Sequence, residues 1–253
     1  MATEDPSYFE LLKAFRSHSN FSKVFSAKTN KLSSSELNFD SVQSCLIIGP
    51  VSDCQQELLF IEQCVPNIEK LIVVEPDNES AVRLNIFLGN NLPDLHSQVI
   101  ESTIQSWRGP DNKVDLVLMM NVLYRVSQRE RKELFKKLNK QWLTAEGRVF
   151  VVSGNRTKCP GTADEIFARL GAPLFSWEEI EPDILEAGLI KRHAHEMRSM
   201  RDFSNLDESS LVFYKKHFDK SVTMNHIRKA IKELFPDGIS YPEFYRFAVF
   251  QKA

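Results

Sequence analysis

The chain has 253 residues, 42% hydrophobic and 26% charged, an ordinary globular balance long enough to bury a sizeable core. A formal net charge of −2 gives no electrostatic ground for nucleic acid as the main partner. No apolar run approaches the ~20 residues of a membrane span, and the acidic start Met1-Ala2-Thr3-Glu4-Asp5-Pro6 lacks the apolar stretch of a secretory leader. Cys45, Cys54, Cys64 and Cys159 include no C-x-x-C pair and no metal-ligand spacing, which predicts reduced thiols in a cytoplasmic protein without a metal site.

Residues 7–25 carry Tyr8, Phe9, Leu11, Leu12, Phe15, Phe21, Val24 and Phe25 at helical spacing, with a break near Ser17–Asn20. They predict a helical cap over one edge of the core or an aromatic lid over a pocket. Residues 26–41, rich in Ser, Lys and Asn, read as a connector with at most a short helix.

From 42 to 153 strand and helix patterns alternate. Cys45-Leu46-Ile47-Ile48 is an apolar run stopped by Gly49-Pro50, which predicts a strand buried on both faces. Leu58, Leu59 and Ile61 predict a helix packing back onto it. Leu71-Ile72-Val73-Val74 is a second buried strand, ending in the carboxylate of Glu75. A helix over Asn78–Asn90 follows, which Gly89 is expected to end, then a short strand at Gln98–Thr103. Lys113–Met120 is a fourth strand. Ser127 and Glu130 form a capping box for a helix whose face continues through Leu134, Leu138 and Trp142, and Gly147–Ser153 is a fifth strand. Strands spaced by helices at this interval predict right-handed crossovers and a parallel sheet.

The last hundred residues are less regular. Capping-box spacing at Thr162 with Glu165, and at Ser176 with Glu179, predicts helices over Thr162–Leu170 and Ser176–Ala187. Gly188 then leads into a strand at Leu189–Glu196. Met224–Phe235 reads as an amphipathic helix and Phe244–Phe250 as a final strand that pairs into the sheet.

In open sheets of this kind a ligand binds beyond the carboxyl ends of the strands, where strand order reverses. Strand, tight turn, helix and a second strand with a terminal acid make a nucleoside-binding frame. The turn supplies backbone N–H groups, and Glu75 can accept from both ribose hydroxyls. Only Gly49 remains of a glycine-rich turn, and Val51 and Asp53 argue against a phosphate. Thr103 ends the third strand, while Met120 and Asn121 leave the fourth, with Tyr124 just beyond. His193 and His195 share one face of a strand, but no third metal ligand is evident. His217 and His226 carry no partner motif, and no G-x-S-x-G, H-E-x-x-H or P-loop is present.

These residues give the chain a resemblance to the class I S-adenosylmethionine-dependent methyltransferases, and within them to histamine N-methyltransferase. It is carried by Val74-Glu75-Pro76, Glu101-Ser102-Thr103, Leu123-Tyr124-Arg125-Val126 and Val151-Val152-Ser153-Gly154, with His18-Ser19-Asn20 near the start. The resemblance implies a Rossmann-like class I methyltransferase fold: an α/β architecture with a seven-stranded, mostly parallel sheet, helices on both faces and an antiparallel last strand. It implies a helical, substrate-side cap over residues 1–41 and a methyltransferase domain over 42–253, with 154–240 forming a substrate-side lobe.

By position, Gly49 would underlie the methionine part of S-adenosyl-L-methionine and Glu75 would hold the ribose. Ser80 joins the cofactor set, Thr103 sits near the adenine and Met120 packs on it. Asn121 stands where the family has a substrate-binding glutamine. Tyr124 and Phe167 would form an aromatic cage, so that Asn121 and Tyr124 orient the methyl acceptor. Phe21 stands where histamine N-methyltransferase has a glutamate, and its loss removes a charge-assisted contact of roughly 1.5–3 kcal/mol. Glu243 falls near the family's asparagine and could pair with a cationic acceptor.

The implied activity is N-methylation of a small amine, biogenic and imidazole-bearing amines included, by a monomer with no nucleic-acid or membrane partner. Two rivals stay open: a methyltransferase fold kept as a catalytically inactive scaffold, and the same fold turned to another ligand and reaction.

Overall fold

The computed structural model describes residues 7–33, 35–37, 39–50, 54–155, 160–172, 174–238 and 240–253. Val51, Ser52, Asp53 and Cys159 lie outside the described residues, and with them the rest of the turn after Gly49.

Two helices precede the sheet. In α1 (Tyr8–Ser17) the Ser7 hydroxyl accepts from the Glu10 N–H while the Glu10 carboxylate accepts from the Ser7 N–H. The chain breaks at His18–Asn20 as expected, and α2 (Phe21–Leu32) follows. This second helix corrects the connector expected from residue 26 onward. Phe21, Phe25, Thr29 and Leu32 form one buried stripe at helical spacing. Ser, Lys and Asn there are its solvent face, and Thr29, whose hydroxyl oxygen lies 3.0 Å from Phe25 O and 2.8 Å from Gln63 Oε1, hides the stripe in the sequence.

The alternation that follows is β1 (Ser44–Ile48), α3 (Gln55–Cys64), β2 (Lys70–Glu75), α4 (Asn78–Asn91), β3 (His96–Glu101), β4 (Val114–Met120), α5 (Gln128–Lys137) and β5 (Leu143–Gly154). The capping box at Ser127 and Glu130 is present. Gly89 does not end α4. The helix runs on to Asn91, the Leu92 N–H still reaches Leu88 O at 2.9 Å, and Pro93 is what stops it. The face through Leu138 and Trp142 leaves the α-helix as a π turn over Leu138–Trp142.

Then come α6 (Glu165–Arg169), α7 (Trp177–Glu186), β6 (Leu189–Arg201), α8 (Glu208–Lys215), α9 (Met224–Leu234) and β7 (Tyr241–Lys252). Two expectations change here. The helix foreseen from Thr162 is a short turn opening at Asp164, because Glu165 takes the N–H of Gly161 at 2.8 Å instead of completing a capping box. The strand foreseen to Glu196 continues to Arg201, pairing with β7 down to Arg201 opposite Tyr241.

The seven strands lie in the order β3-β2-β1-β4-β5-β7-β6. All pairings are parallel except those of β7, which runs antiparallel to both β5 and β6. This is the fold class expected. One face of the sheet packs Phe25, Phe60, Phe150 and Phe247 under α2 and α3; the other packs Leu134, Trp142, Trp177 and Phe250 under α5 and α7. A third cluster, with Phe167, Tyr214, Ile227 and Phe235, joins α6, α8 and α9. Cys45, Cys54 and Cys64 are buried and form no disulfide among the described residues, and burial pushes the Cys64 thiol up to about 12.

Candidate active site at the strand ends

Strand order reverses between β1 and β4, the place where open α/β sheets hold their ligands. Both strands leave the sheet through a residue in the left-handed region: Gly49 with φ +61° and Asn121 with φ +53°. Gly49 N donates to Val74 O at 2.8 Å, and Asn121 N to Val152 O at 2.9 Å, so each turn is pinned to the neighbouring strand. A β-carbon at Gly49 would come 2.6 Å from Val122 Cγ2, so this turn requires glycine for both conformation and space. Asparagine is among the few other residues that enter this region readily.

Glu75 ends β2, one strand away, and is only 3% exposed. Its Oε1 accepts from the Asp77 N–H at 3.0 Å, while Asp77 in turn caps α4 by accepting from the Ser80 N–H at 2.9 Å. The Ser80 hydroxyl is buried with no hydrogen-bond partner among the described residues. Thr103 lies beyond β3 in an exposed turn, its hydroxyl 2.7 Å from that of Ser106.

A cavity of about 130 Å³ opens at the β1/β4 reversal. It brings together Gly49, Met120, Asn121, Tyr124, Phe21, Phe167 and Glu243 from five separate segments of the chain. Glu75, Ser80 and Thr103 do not line it; they lie along the ends of β2 and β3, on the other side of β1. The helices α1 and α2 supply one wall, through Leu12, Phe15, Ser19 and Phe21. Phe21 packs at a tilt against Tyr245 with ring centroids 4.5 Å apart.

Glu243 does not present a bare carboxylate to this space. Its Oε1 accepts from Arg201 Nε at 2.6 Å, and its Oε2 accepts from Ser19 Oγ at 2.6 Å and Ser199 Oγ at 3.0 Å. Burial disfavours the Arg201 charge, but Glu243 together with the Tyr214 and Tyr245 phenols outweighs it and raises the guanidinium's affinity for its proton. Arg201 also donates to Phe15 O at 2.6 Å and lies 3.7 Å over the Phe15 ring. The pair therefore ties α1 to the sheet. Asn20 N donating to Met200 O at 3.1 Å and Asp202 N to His18 O at 2.8 Å continue the tie.

Tyr124 and Phe167 meet through a residue that sequence reasoning passed over. His217 stacks on Tyr124 at 6.1 Å and touches Phe167 at 5.5 Å and Phe213 at 4.7 Å. Its Nδ1 lies 3.0 Å from Phe213 O, and since a carbonyl only accepts, the proton of the neutral ring sits on Nδ1. No motif marks His217; the only signal is its four-residue spacing from Phe213 on a helix that was itself unforeseen. Arg201 and Gln56 were missed as well. His193 and His195, read without a third ligand, both reach one oxygen of Glu36, at 3.1 and 2.9 Å.

The arrangement suits S-adenosylmethionine on observations of its own. A turn that excludes any β-carbon allows close backbone approach, a buried strand-end carboxylate matches two ribose hydroxyls, and a buried serine hydroxyl has no partner among the described residues.

No family model matches the chain, and no curated protein does. Among solved structures it is similar to the N-methyltransferase NodS from Bradyrhizobium japonicum WM9 in complex with S-adenosyl-L-homocysteine. That likeness has a TM-score of 0.58 and 14% identity, over 98% of this chain and 99% of that one. It is also similar to geranyl diphosphate C-methyltransferase from Streptomyces coelicolor A3(2), solved with Mg2+, geranyl diphosphate and S-adenosyl-L-homocysteine. There the TM-score is 0.57 and the identity 14%, over 100% of this chain and 87% of that one. At such identities the likeness is one of fold: the chain has the Rossmann-like fold of class I S-adenosylmethionine-dependent methyltransferases.

Proposed function

We propose that the chain is an S-adenosylmethionine-dependent methyltransferase that N-methylates a small amine, imidazole-bearing biogenic amines among the candidates. The observation that carries this reading is the cavity at the β1/β4 reversal, walled by aromatic rings and lined by Gly49 and Asn121.

In this reading Gly49 underlies the methionine part, Glu75 holds the ribose with Ser80 nearby, and Thr103 and Met120 flank the adenine. When bound, the cofactor supplies a methyl on a sulfonium whose departure needs no acid. The residues of the chain then exclude water and fix the acceptor's direction of approach. Asn121 and Tyr124 orient the acceptor, Phe21 and Phe167 enclose it, and Glu243 shapes the floor as half of a neutralised pair with Arg201. A cavity of about 130 Å³ is close to the volume known to hold a benzene-sized guest, roughly 150 Å³, so the acceptor is small.

The test is a screen of small amines for cofactor-dependent product, each reaction followed by mass spectrometry for a gain of one methyl group. Turnover of at least one amine, lost in Asn121→Ala with Tyr124→Ala, supports the reading. Tight cofactor binding with no methylated amine across the screen would turn it toward a scaffold.

A further inference from the structure

Gln56 stands in the first turn of α3, is 5% exposed, and lines the cavity beside Gly49 and Asn121. Its Nε2 donates to Ser22 Oγ of α2 at 3.1 Å, which anchors one end of the amide. Its Oε1 is buried and meets no donor among the described residues. A carbonyl oxygen taken from water without a replacement partner is a standing penalty on the folded state, and one at a cavity wall is relieved when a ligand brings a donor. With the nitrogen held by α2, the oxygen is the end of the amide left without a partner among the described residues, in a residue that lines the cavity.

The surroundings define the donor. The Glu243 carboxylate, which could have attracted a cation, is already taken by Arg201, Ser19 and Ser199. The neighbouring walls are mostly rings, among them Phe21 tilted against Tyr245 and Tyr124 stacked on His217, with the oppositely charged Arg16 and Asp164 also in the lining. A neutral amide oxygen among aromatic faces suits an uncharged N–H or O–H on a flat ring.

We propose that Gln56 determines acceptor specificity: its Oε1 takes a hydrogen bond from the N–H or O–H of a small aromatic or heteroaromatic acceptor, and Ser22 fixes the amide for that purpose. This rests on the methyltransferase reading, since it makes the cavity the acceptor pocket. A group that donates to Gln56 is held by the hydrogen that methylation would replace, or by one beside it. Donor-bearing compounds are therefore favoured over their methyl-capped forms.

The experiment titrates aniline, phenol and imidazole, and their capped counterparts N,N-dimethylaniline, anisole and 1-methylimidazole, against the full chain by ligand-observed NMR. Each titration is run with and without S-adenosylhomocysteine. The variants are Gln56→Met, of similar length without the amide, and Gln56→Glu, which keeps an acceptor oxygen; thermal melting checks that each folds. Donor-bearing probes should bind the wild type and lose about tenfold or more in affinity in Gln56→Met, capped probes should bind weakly and equally to both, and Gln56→Glu should retain the preference for donors.

Equal binding of donor and capped probes, absence of binding by any probe, or donor binding indifferent to Gln56→Met would each overturn the assignment. So would a parallel loss of S-adenosylhomocysteine affinity in Gln56→Met, which would make Gln56 a cofactor contact. If the wild type binds no S-adenosylhomocysteine, the methyltransferase reading falls, while the donor preference measured without it still decides whether Gln56 reads a ligand.

Discussion

Arg201 and Glu243 form an ion pair inside the cavity wall, Nε to Oε1 2.6 Å, with side chains 3% and 2% exposed. Removing one member strands the other as a buried charge, which costs about 3–5 kcal/mol, whereas replacing both by apolar side chains of similar size is nearly neutral. Arg201→Met should therefore lower stability by about that amount in urea unfolding. The double variant Arg201→Met with Glu243→Met should recover most of the loss. Amide exchange in α1 should rise in both variants, because Phe15 O loses its donor, and around Ser19 it should rise in the double variant, which also removes Glu243. A double variant no more stable than the single would show that the pair is not self-contained.

Gly49 and Val122 define a second relationship. Alanine at Gly49 meets both a left-handed φ of +61° and a 2.6 Å contact with Val122 Cγ2. Backbone strain and overpacking together predict a loss of about 2–5 kcal/mol for Gly49→Ala. Adding Val122→Ala should return the steric part and leave the strain, a coupling that a double-mutant cycle reads directly. Additive effects would contradict the contact.

Much of this fold was legible because β1, β2, β4 and β5 are nearly continuous apolar runs, as strands covered on both faces must be. β6 was legible only in part: it is the sheet's last strand, so Lys191, Arg192 and Glu196 face water and the run to Arg201 is held by pairing with β7. α8 went unseen because it is eight residues long and begins with Glu208-Ser209-Ser210; its cap, Asp207 accepting from the Ser210 N–H at 2.7 Å, is a local signal that polar composition hides.

The site divides the same way. Gly49, Glu75, Met120, Asn121 and Tyr124 sit at strand ends and follow from strand prediction alone. Arg201 is engaged by a residue 42 positions away, and His217, just past the end of α8, meets Tyr124 from a distant part of the chain. No local pattern encodes either meeting.

Tyr214 and Tyr245 give an alkaline signature. Burial raises the pKa of both phenols, and Glu243 adds to the rise in each. In the unfolded chain they ionise near the ordinary value of about 10. Stability from these two groups is therefore full below that pH and is lost as pH rises above it, toward their raised folded values. Their phenolate absorbance should appear only together with loss of circular dichroism. Ionisation of all five tyrosines before any unfolding would contradict this.

His217 should carry its proton on Nδ1 when neutral, because Phe213 O accepts there at 3.0 Å. Long-range proton–nitrogen NMR distinguishes the two tautomers directly. A signal for the Nε2-protonated ring would mean that the imidazole edge facing the cavity is reversed from the one described.

The central claim is that the strand-end frame holds S-adenosylmethionine through Glu75. The most direct measurement is a calorimetric titration of the chain with S-adenosylmethionine and S-adenosylhomocysteine, repeated on Glu75→Ala. The account predicts binding on the order of micromolar, about −8 kcal/mol, abolished by the substitution while the variant's melting shows that it still folds. No detectable heat from either compound with the wild type, or undiminished binding to Glu75→Ala, would contradict it.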